Sequence, residues 1–312
     1  MTQINHDVVR SAIRELIDSK AISGAALARE TGTSTATVSQ FLNGKYKGDN
    51  DTVAASLNTW LESHTAAKTS LPVAPDFVET PTSQKILATL TWAQLAGTIV
   101  LVYGNPGVGK TKAIRQYAAT GNNVWHITAS KSRSNELETL YELALKMGIA
   151  DAPYRRGALS RLLRQRLPDT RGLIVVDEAD WLSLDAVEEL RILQEECGVG
   201  LALVGNHKVY DRLTGGQRSV DFARLFSRVS KKYVINTVSA GDVDSFCDAW
   251  QVCGQEERKL LKMIARRPGA LRSLSHILPL AGIYAQGKGE TIGTSHIQSA
   301  MLELGHSNLN EE

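Results

Sequence analysis

The sequence predicts an α/β protein built on a parallel sheet flanked by helices, with an N-terminal all-α unit and a C-terminal helical domain. Three observations carry this. Five apolar runs, 98–103, 123–128, 173–176, 200–205 and 232–236, have the length and continuity of strands in a parallel sheet. Amphipathic stretches long enough to be crossover helices lie between them. Residues 1–65 and the chain after 239 carry helical apolar spacing.

In the first segment Val8, Val9, Ala12, Ile13, Leu16 and Ile17, then Leu27, Val38, Phe41 and Leu42, then Val53, Leu57, Trp60 and Leu61 mark helical faces. Within it lies a helix-turn-helix pattern: Leu27 and Ala28 in the first helix, Gly32 at the turn, Ser34 as N-cap, and Val38 and Phe41 on the buried face of the second helix. Ser34, Thr35, Ser39, Gln40 and Asn43 are left facing outward. Their short hydroxyl and amide side chains suit phosphate and base-edge hydrogen bonds, which makes Thr35, Ser39 and Gln40 candidate DNA contacts; Lys45, Tyr46 and Lys47 follow. The same packing also serves a bundle used only for protein contacts. Residues 66–81 are rich in Thr, Ala and Pro and read as a linker, with Pro72, Pro75 and Pro81 expected to break any helix. The core is expected over 82–236. A helical domain over 237–312 follows, with helices near 243–250, 256–266, 271–287 and 294–304 and a loose tail at 305–312.

The chemistry sits at the ends of two runs. Gly104, Asn105, Pro106, Gly107, Val108, Gly109, Lys110 and Thr111 form a complete G-x-x-x-x-G-K-[ST] phosphate loop where the run 98–103 ends and a helix begins. Backbone N–H groups must turn inward around a triphosphate, and glycine allows the close approach and unusual dihedrals. The following helix adds the positive end of its dipole. Lys110 is placed to reach the β- and γ-phosphates and the Thr111 hydroxyl to coordinate Mg²⁺, so ATP and Mg²⁺ are the expected cofactors. The run 173–176 ends in Asp177 and Glu178. An acidic residue at the carboxyl end of a parallel strand can hold the metal through water, and Glu178 is the candidate general base for hydrolysis. The alternative is an acidic pair that only favours the dipole of a helix over 179–190.

Composition narrows the class. With 312 residues there is room for two or three domains, and a formal charge of +2 gives no general attraction to nucleic acid, so any such binding needs local basic patches. Cys197, Cys247 and Cys253 form neither a metal-ligand pattern nor a disulfide framework, which fits a reduced cytoplasm. No apolar run is long enough to span a membrane and no export signal pattern opens the chain.

The order of these residues resembles that of the AAA+ ATPases. By that resemblance Asn206, after the run 200–205, is similar to sensor 1, which positions the attacking water. Arg272, in Gly269-Ala-Leu-Arg272, resembles sensor 2, reaching the γ-phosphate from a helical lid. Arg224 or Arg228 resembles the arginine finger offered in trans, which implies a site completed by oligomerisation. More closely, nearly the whole chain resembles the Mu B family of phage transposition proteins, through residues 41–50, the phosphate loop, 176–180, 205–207, Phe222-Ala-Arg-Leu-Phe-Ser-Arg228 and 268–272. That resemblance implies ATP-dependent, largely sequence-independent binding of double-stranded DNA as a helical filament of this chain. It also implies capture of that DNA as a target and activation of a DDE-type transposase, which in turn stimulates ATP hydrolysis.

The sharpest basic cluster has five arginines within residues 155–166. Leu159, Leu162 and Leu163 share one helical face, so Arg161 and Arg164 project elsewhere, and Arg155 and Arg156 are expected in the loop before that helix. Arg155, Arg156 and Arg161 are the first candidates for DNA phosphates, and Lys231 and Lys232, at a strand start, a second set. A solvated face laced with salt bridges is the competing reading. Two other functions fit parts of the pattern: a helix-turn-helix transcription regulator with an ATP-sensing domain, and a helicase loader. Glu178 and the trans arginines favour hydrolysis over pure sensing.

Overall fold

The computed structural model describes residues 5–19, 21–70, 75–214 and 227–306. Its internal contacts divide the chain into two compact units, Met1–Ala74 and Pro75–Glu312.

The first unit holds four helices, α1 (His6–Asp18), α2 (Gly24–Glu30), α3 (Thr35–Leu42) and α4 (Asn50–Ser70). Val9, Ile13, Leu27, Ala28, Val38, Phe41, Ala54 and Leu57 form one core, so the apolar spacing read from sequence is the packing spacing. Ser34 caps α3, its Oγ accepting from Thr37 N at 3.0 Å. The C-terminal end of α3 is held by α1: Arg10 Nε donates to Phe41 O at 2.8 Å and Arg14 donates to Leu42 O. Cations on the last carbonyls of a helix satisfy unpaired acceptors and offset the negative end of its dipole. Thr35, Ser39, Gln40, Asn43, Lys45 and Lys47 are exposed. Helix α4 continues to Ser70, beyond the boundary expected at 65, because no helix breaker precedes Pro72.

The second unit opens with α5 (Pro81–Ala96). Pro81 was expected to break helix; instead it starts one, at a first-turn position where its missing N–H costs nothing, with Thr80 and Ser83 forming a capping box. There follow β1 (Ile99–Gly104), α6 (Lys110–Thr120), β2 (Val124–Thr128), α7 (Glu136–Lys146), α8 (Arg156–Arg166), β3 (Leu173–Asp177), a single 3-10 turn (Ala179–Trp181), α9 (Leu184–Cys197), β4 (Gly200–Gly205), α10 (His207–Thr214) and β5 (Val229–Ile235). The five strands form one parallel sheet in the order β2-β3-β4-β1-β5. Alternate strand residues enter two different cores. Val100, Val102, Val175 and Val204 pack with Ile86 and Leu90 of α5 and Ile114 of α6. Ile99, Leu101, Ile174, Val176, Leu201 and Leu203 pack with Leu143 of α7, Leu163 of α8 and Leu190 of α9. A sheet covered on both faces explains why its strands read as continuous apolar runs.

The helix expected over 179–190 is a correction. Glu178 takes a left-handed conformation at φ 54°, the chain makes the 3-10 turn, and α9 starts only after Ser183, whose Oγ accepts from Ala186 N at 3.2 Å. Strand β5 also begins at Val229 rather than 232.

Four helices complete the unit: α11 (Ala240–Ala249), α12 (Gln255–Ala265), α13 (Leu271–Lys288) and α14 (Thr294–Glu303), around Val243, Leu261, Leu274, Ile277, Leu278 and Ile297. This helical layer is fastened to the sheet layer by Asp242, which is 0% exposed. Its Oδ1 accepts from Thr82 N at 2.8 Å, and its Oδ2 accepts from Thr82 Oγ1 at 2.7 Å and from Ser239 N and Oγ at 2.8 Å each. The N-termini of α5 and α11 thus converge on one carboxylate. Burial acts to raise the Asp242 pKa, but the donors from Thr82 and Ser239 outweigh it and hold the carboxyl below its ordinary value. Among the described residues no helix is long and apolar enough to cross a membrane. Of the tail, residues 307–312 lie outside the described residues.

Candidate ATP site and DNA-facing surfaces

Strand order builds the site. Because β4 lies between β1 and β3, whatever follows β4 sits between the phosphate loop after β1 and the acidic pair at the end of β3. That residue is Asn206.

The loop is packed so closely that side chains are excluded. A Cβ at Gly104 would lie 1.9 Å from Ile235 O, and one at Gly107, φ 81°, would lie 2.1 Å from Gly269 O. The second contact brings the segment preceding α13, and with it Arg272, against the loop. Asn105 ties the loop to the exit of β5, its N donating to Ile235 O at 3.0 Å and its Nδ2 to Asn236 O at 2.5 Å. Gly109 is the N-cap of α6 and makes no side-chain bond there, so the first N–H groups of α6 point into the loop without a side-chain acceptor at the cap. Lys110 Nζ donates to Gly104 O at 2.9 Å and Asn105 O at 2.8 Å. Burial pulls its pKa below the usual lysine value, opposed by the negative charges of Asp177, Glu178 and Asp180 and reinforced by Arg272.

Thr111 Oγ1 donates to Asp177 Oδ2 at 2.7 Å, and Asp177 is 2% exposed. A buried carboxylate beside a hydroxyl at a phosphate loop is a donor set that fits Mg²⁺, which takes one or two protein oxygens and completes its shell with phosphate and water. Glu178 N donates to Asp177 Oδ1 at 3.0 Å, while the Glu178 side chain is exposed. Desolvation of its carboxyl, then the charges of Asp177 and Asp180, raise its pKa against the opposing pull of Lys110 and Arg272. Lys110, Glu178, Asp177 and Arg272 therefore all lie within each other's electrostatic reach. His126 on β2 belongs to the same field: burial lowers its pKa while Asp177 raises it. Asn206 Nδ2 donates to Asp180 Oδ2 at 2.9 Å.

Of the two arginine-finger candidates only Arg228 lies among the described residues; Arg224 lies outside them. Arg228 is 52% exposed and pairs with Glu195 of α9 at 2.5 Å, so within one chain it is held at α9. Sequence reasoning passed over Asp180 and Asp242. Asp242 had a signal, the capping-box spacing Ser239-Ala-Gly-Asp242; its partner Thr82, 160 residues away, had none.

Arg155 is the N-cap of α8 and Arg156 its first residue, which corrects the expected loop position of Arg156; both are exposed, as is Arg161. Arg156 pairs with the half-buried Glu136 at 3.8 Å. The salt-bridged reading thus describes Arg156 as well as Arg164, which pairs with Glu189 at 3.2 Å and with Glu196. Beside the cluster Tyr154 stands edge-on to Tyr141 at 5.0 Å. Lys231 and Lys232 are exposed on β5, inside an edge strand rather than at its start.

A five-stranded parallel sheet in this order, a phosphate loop after the strand beside the edge, an acidic pair two strands away and a helical layer whose Gly269 packs against the loop define an AAA+ ATPase. The AAA domain family matches residues 94–213. The Aeropyrum pernix ORC2 protein, solved in complexes with ADPNP and ADP, shares the fold with a TM-score of 0.53, 14% identity, and coverage of 73% of this chain and 68% of that one.

Within that class the chain belongs to the Mu B transposition proteins, whose C-terminal family matches residues 227–304. It is 48% identical over 96% of its length, and 96% of the relative's, to the ATP-dependent target DNA activator B of Escherichia phage Mu. It is 45% identical over 84% of this chain, and 92% of the relative's, to the Mu-like prophage FluMu DNA transposition protein B of Haemophilus influenzae.

Proposed function

We propose that this ATPase is a target DNA activator for transposition. With ATP bound it coats double-stranded DNA of any sequence as a helical filament of its own copies, in the bacterial cytoplasm, captures that DNA as a target, and activates a partner transposase of the DDE type. Bound ATP with Mg²⁺ supplies the γ-phosphoryl group whose hydrolysis releases the assembly. The phosphate loop from Gly104 to Thr111 binds the phosphates, Thr111 and Asp177 hold the metal, Glu178 draws the proton from the attacking water, and Asn206 orients that water. Arg272 reaches the γ-phosphate from the helical layer. Arg224 or Arg228 of a neighbouring copy completes the site in trans, so turnover needs assembly. Arg155, Arg156 and Arg161 grip DNA phosphates, Lys231 and Lys232 extend that surface, and Thr35, Ser39 and Gln40 on the exposed side of α3 add contacts from the first unit.

The observation that carries the reading is the meeting of Lys110, Thr111, Asp177, Glu178 and Arg272 at one end of the sheet in a chain 48% identical to a protein named ATP-dependent target DNA activator B. Negative-stain microscopy with ATP, with ADP and without nucleotide, on several unrelated DNA duplexes, tests it. Filaments on every duplex with ATP alone are expected. Nucleotide-independent binding to one sequence would instead mark a regulator.

A further inference from the structure

Asp180 has no part in the scheme above, yet it is the side chain that holds Asn206. A carboxamide fixed at one end can turn over and exchange its oxygen and nitrogen. Asn206 is fixed at both. Its Oδ1 accepts from Lys208 N at 2.8 Å, at the start of α10, and its Nδ2 donates to Asp180 Oδ2 at 2.9 Å. Turning the amide over would set its NH₂ against the Lys208 N–H and its carbonyl oxygen against a carboxylate, so a single orientation survives.

The backbone on both sides is shaped for this contact. Asp180 lies in the 3-10 turn that replaces the expected start of an α-helix, reached through the left-handed Glu178 at φ 54°. On the facing strand β4 ends in Gly205, where a Cβ would stand 2.8 Å from Asp180 Oδ1 and 2.4 Å from Val209 Cγ2. Any other residue there would push Asp180 or α10 away. The two elements that carry Glu178 and Asn206 are therefore locked together through one hydrogen bond, and the second N–H of the amide is left to the reacting water.

We infer that Asp180 is a positioning residue for hydrolysis: it fixes the rotamer and the flip state of Asn206, and so sets turnover through the placement of that amide. This rests on the reading of Asn206 as the residue that orients the water.

Four variants test it: Asn206→Ala, Asp180→Ala, Asp180→Asn and the double Asp180→Ala/Asn206→Ala. Steady-state ATP hydrolysis, nucleotide Kd and thermal melting are measured on the full chain with DNA. Misplacing a reacting group by about 1 Å costs on the order of 100-fold, so that is the loss in kcat expected for Asn206→Ala and for Asp180→Ala, with no rise in the ATP Kd. Asp180→Asn, whose Oδ1 still accepts from the amide, regains most of the rate. The double variant is no slower than Asn206→Ala. Losses that multiply in the double variant, or an Asp180→Asn as slow as Asp180→Ala, overturn the inference. Full turnover in Asn206→Ala overturns the reading of Asn206 itself, whereas a slow Asn206→Ala beside a fast Asp180→Ala removes only the role of Asp180. Asp180→Ser replaces Asp180→Ala if that variant does not fold.

Discussion

Replacing Asp242 by asparagine keeps the shape of the side chain, removes its charge and tests what fastens the helical layer to the sheet. The carboxylate accepts four hydrogen bonds, two from Thr82 and two from Ser239. The Thr82 and Ser239 hydroxyls can rotate and become acceptors for an amide NH₂. The two backbone N–H groups cannot. If the NH₂ takes the Oδ1 place it opposes Thr82 N, and if it takes the Oδ2 place it opposes Ser239 N, so one of these two donors, the buried Thr82 N–H or the part-buried Ser239 N–H, loses its acceptor either way. An unsatisfied buried donor costs about 1–3 kcal/mol and each hydrogen bond to a charged group contributes about 1.5–3 kcal/mol. The variant is therefore expected to lose about 1–3 kcal/mol. Urea unfolding followed by Trp250 at the end of α11, with amide exchange at Thr82 and Ser239, measures this. The pH dependence has a fixed sign. The folded pKa of Asp242 lies below its unfolded value, so its contribution is present above that value, about 3.9, and is lost as pH falls through the folded pKa. The deficit of the variant should be constant near neutrality and narrow in acid below about pH 4. A loss under about 1 kcal/mol, or a deficit that widens toward acid, would refute the assignment.

Lys110→Ala removes a charge-assisted donor to the phosphates; at about 1.5–3 kcal/mol the ATP Kd should rise by about 10- to 150-fold, measured by fluorescent-nucleotide titration, and an unchanged Kd excludes the loop role. Glu178→Gln should still bind ATP, hydrolyse it about 10²- to 10⁴-fold more slowly and stay longer on DNA, and wild-type turnover removes Glu178 as the base. Alanine at both Arg155 and Arg156 should weaken binding to all sequences alike and flatten the log–log salt slope by about 1.8, two phosphate contacts at about 0.9 each; an equal slope moves the DNA surface elsewhere.

The parts of this molecule that were legible in its sequence are those fixed by local pattern. Strands β1, β3 and β4 are buried on both faces and stand out as apolar runs. The start of β5 is not legible because it is an edge strand, whose Ser230, Lys231 and Lys232 are exposed polar residues where an inner strand would be apolar. The phosphate loop is legible because close backbone approach can be met only by glycine, as the Ile235 and Gly269 carbonyls show. The order of the strands is not, since pairing between distant segments leaves no local mark, and that order alone puts Asn206 between Lys110 and Glu178. Nor could local reasoning find the turn at Asp180. Helix propensity favours a helix through Ala179, whereas the chain makes a 3-10 turn there that sets Asp180 against Asn206, which follows a different strand.

One helix, α9, holds both Arg164 and Arg228 by ion pairs. Helix α9 starts seven residues after Asp177, at Leu184. Its Glu189 and Glu196 hold Arg164 of α8, the helix that opens with Arg155 and Arg156, and its Glu195 holds Arg228. A displacement of α9 by a change at the acidic pair would therefore move the helix proposed to grip DNA and a finger candidate together, through ion pairs rather than through the loops. Arg164→Ala combined with Ser160→Ala, the Ser160 Oγ also donating to Glu189 at 2.7 Å, cuts the polar links between α8 and α9 while leaving Arg155, Arg156 and the phosphate loop in place. If coupling runs through α9, the variant keeps its ATP affinity and its salt slope on DNA, but the ratio of DNA affinities with ATP and with ADP shrinks toward one. A ratio equal to that of the wild type would show that the two sites communicate by another route, with assembly of neighbouring copies through Arg224 or Arg228 as the remaining one.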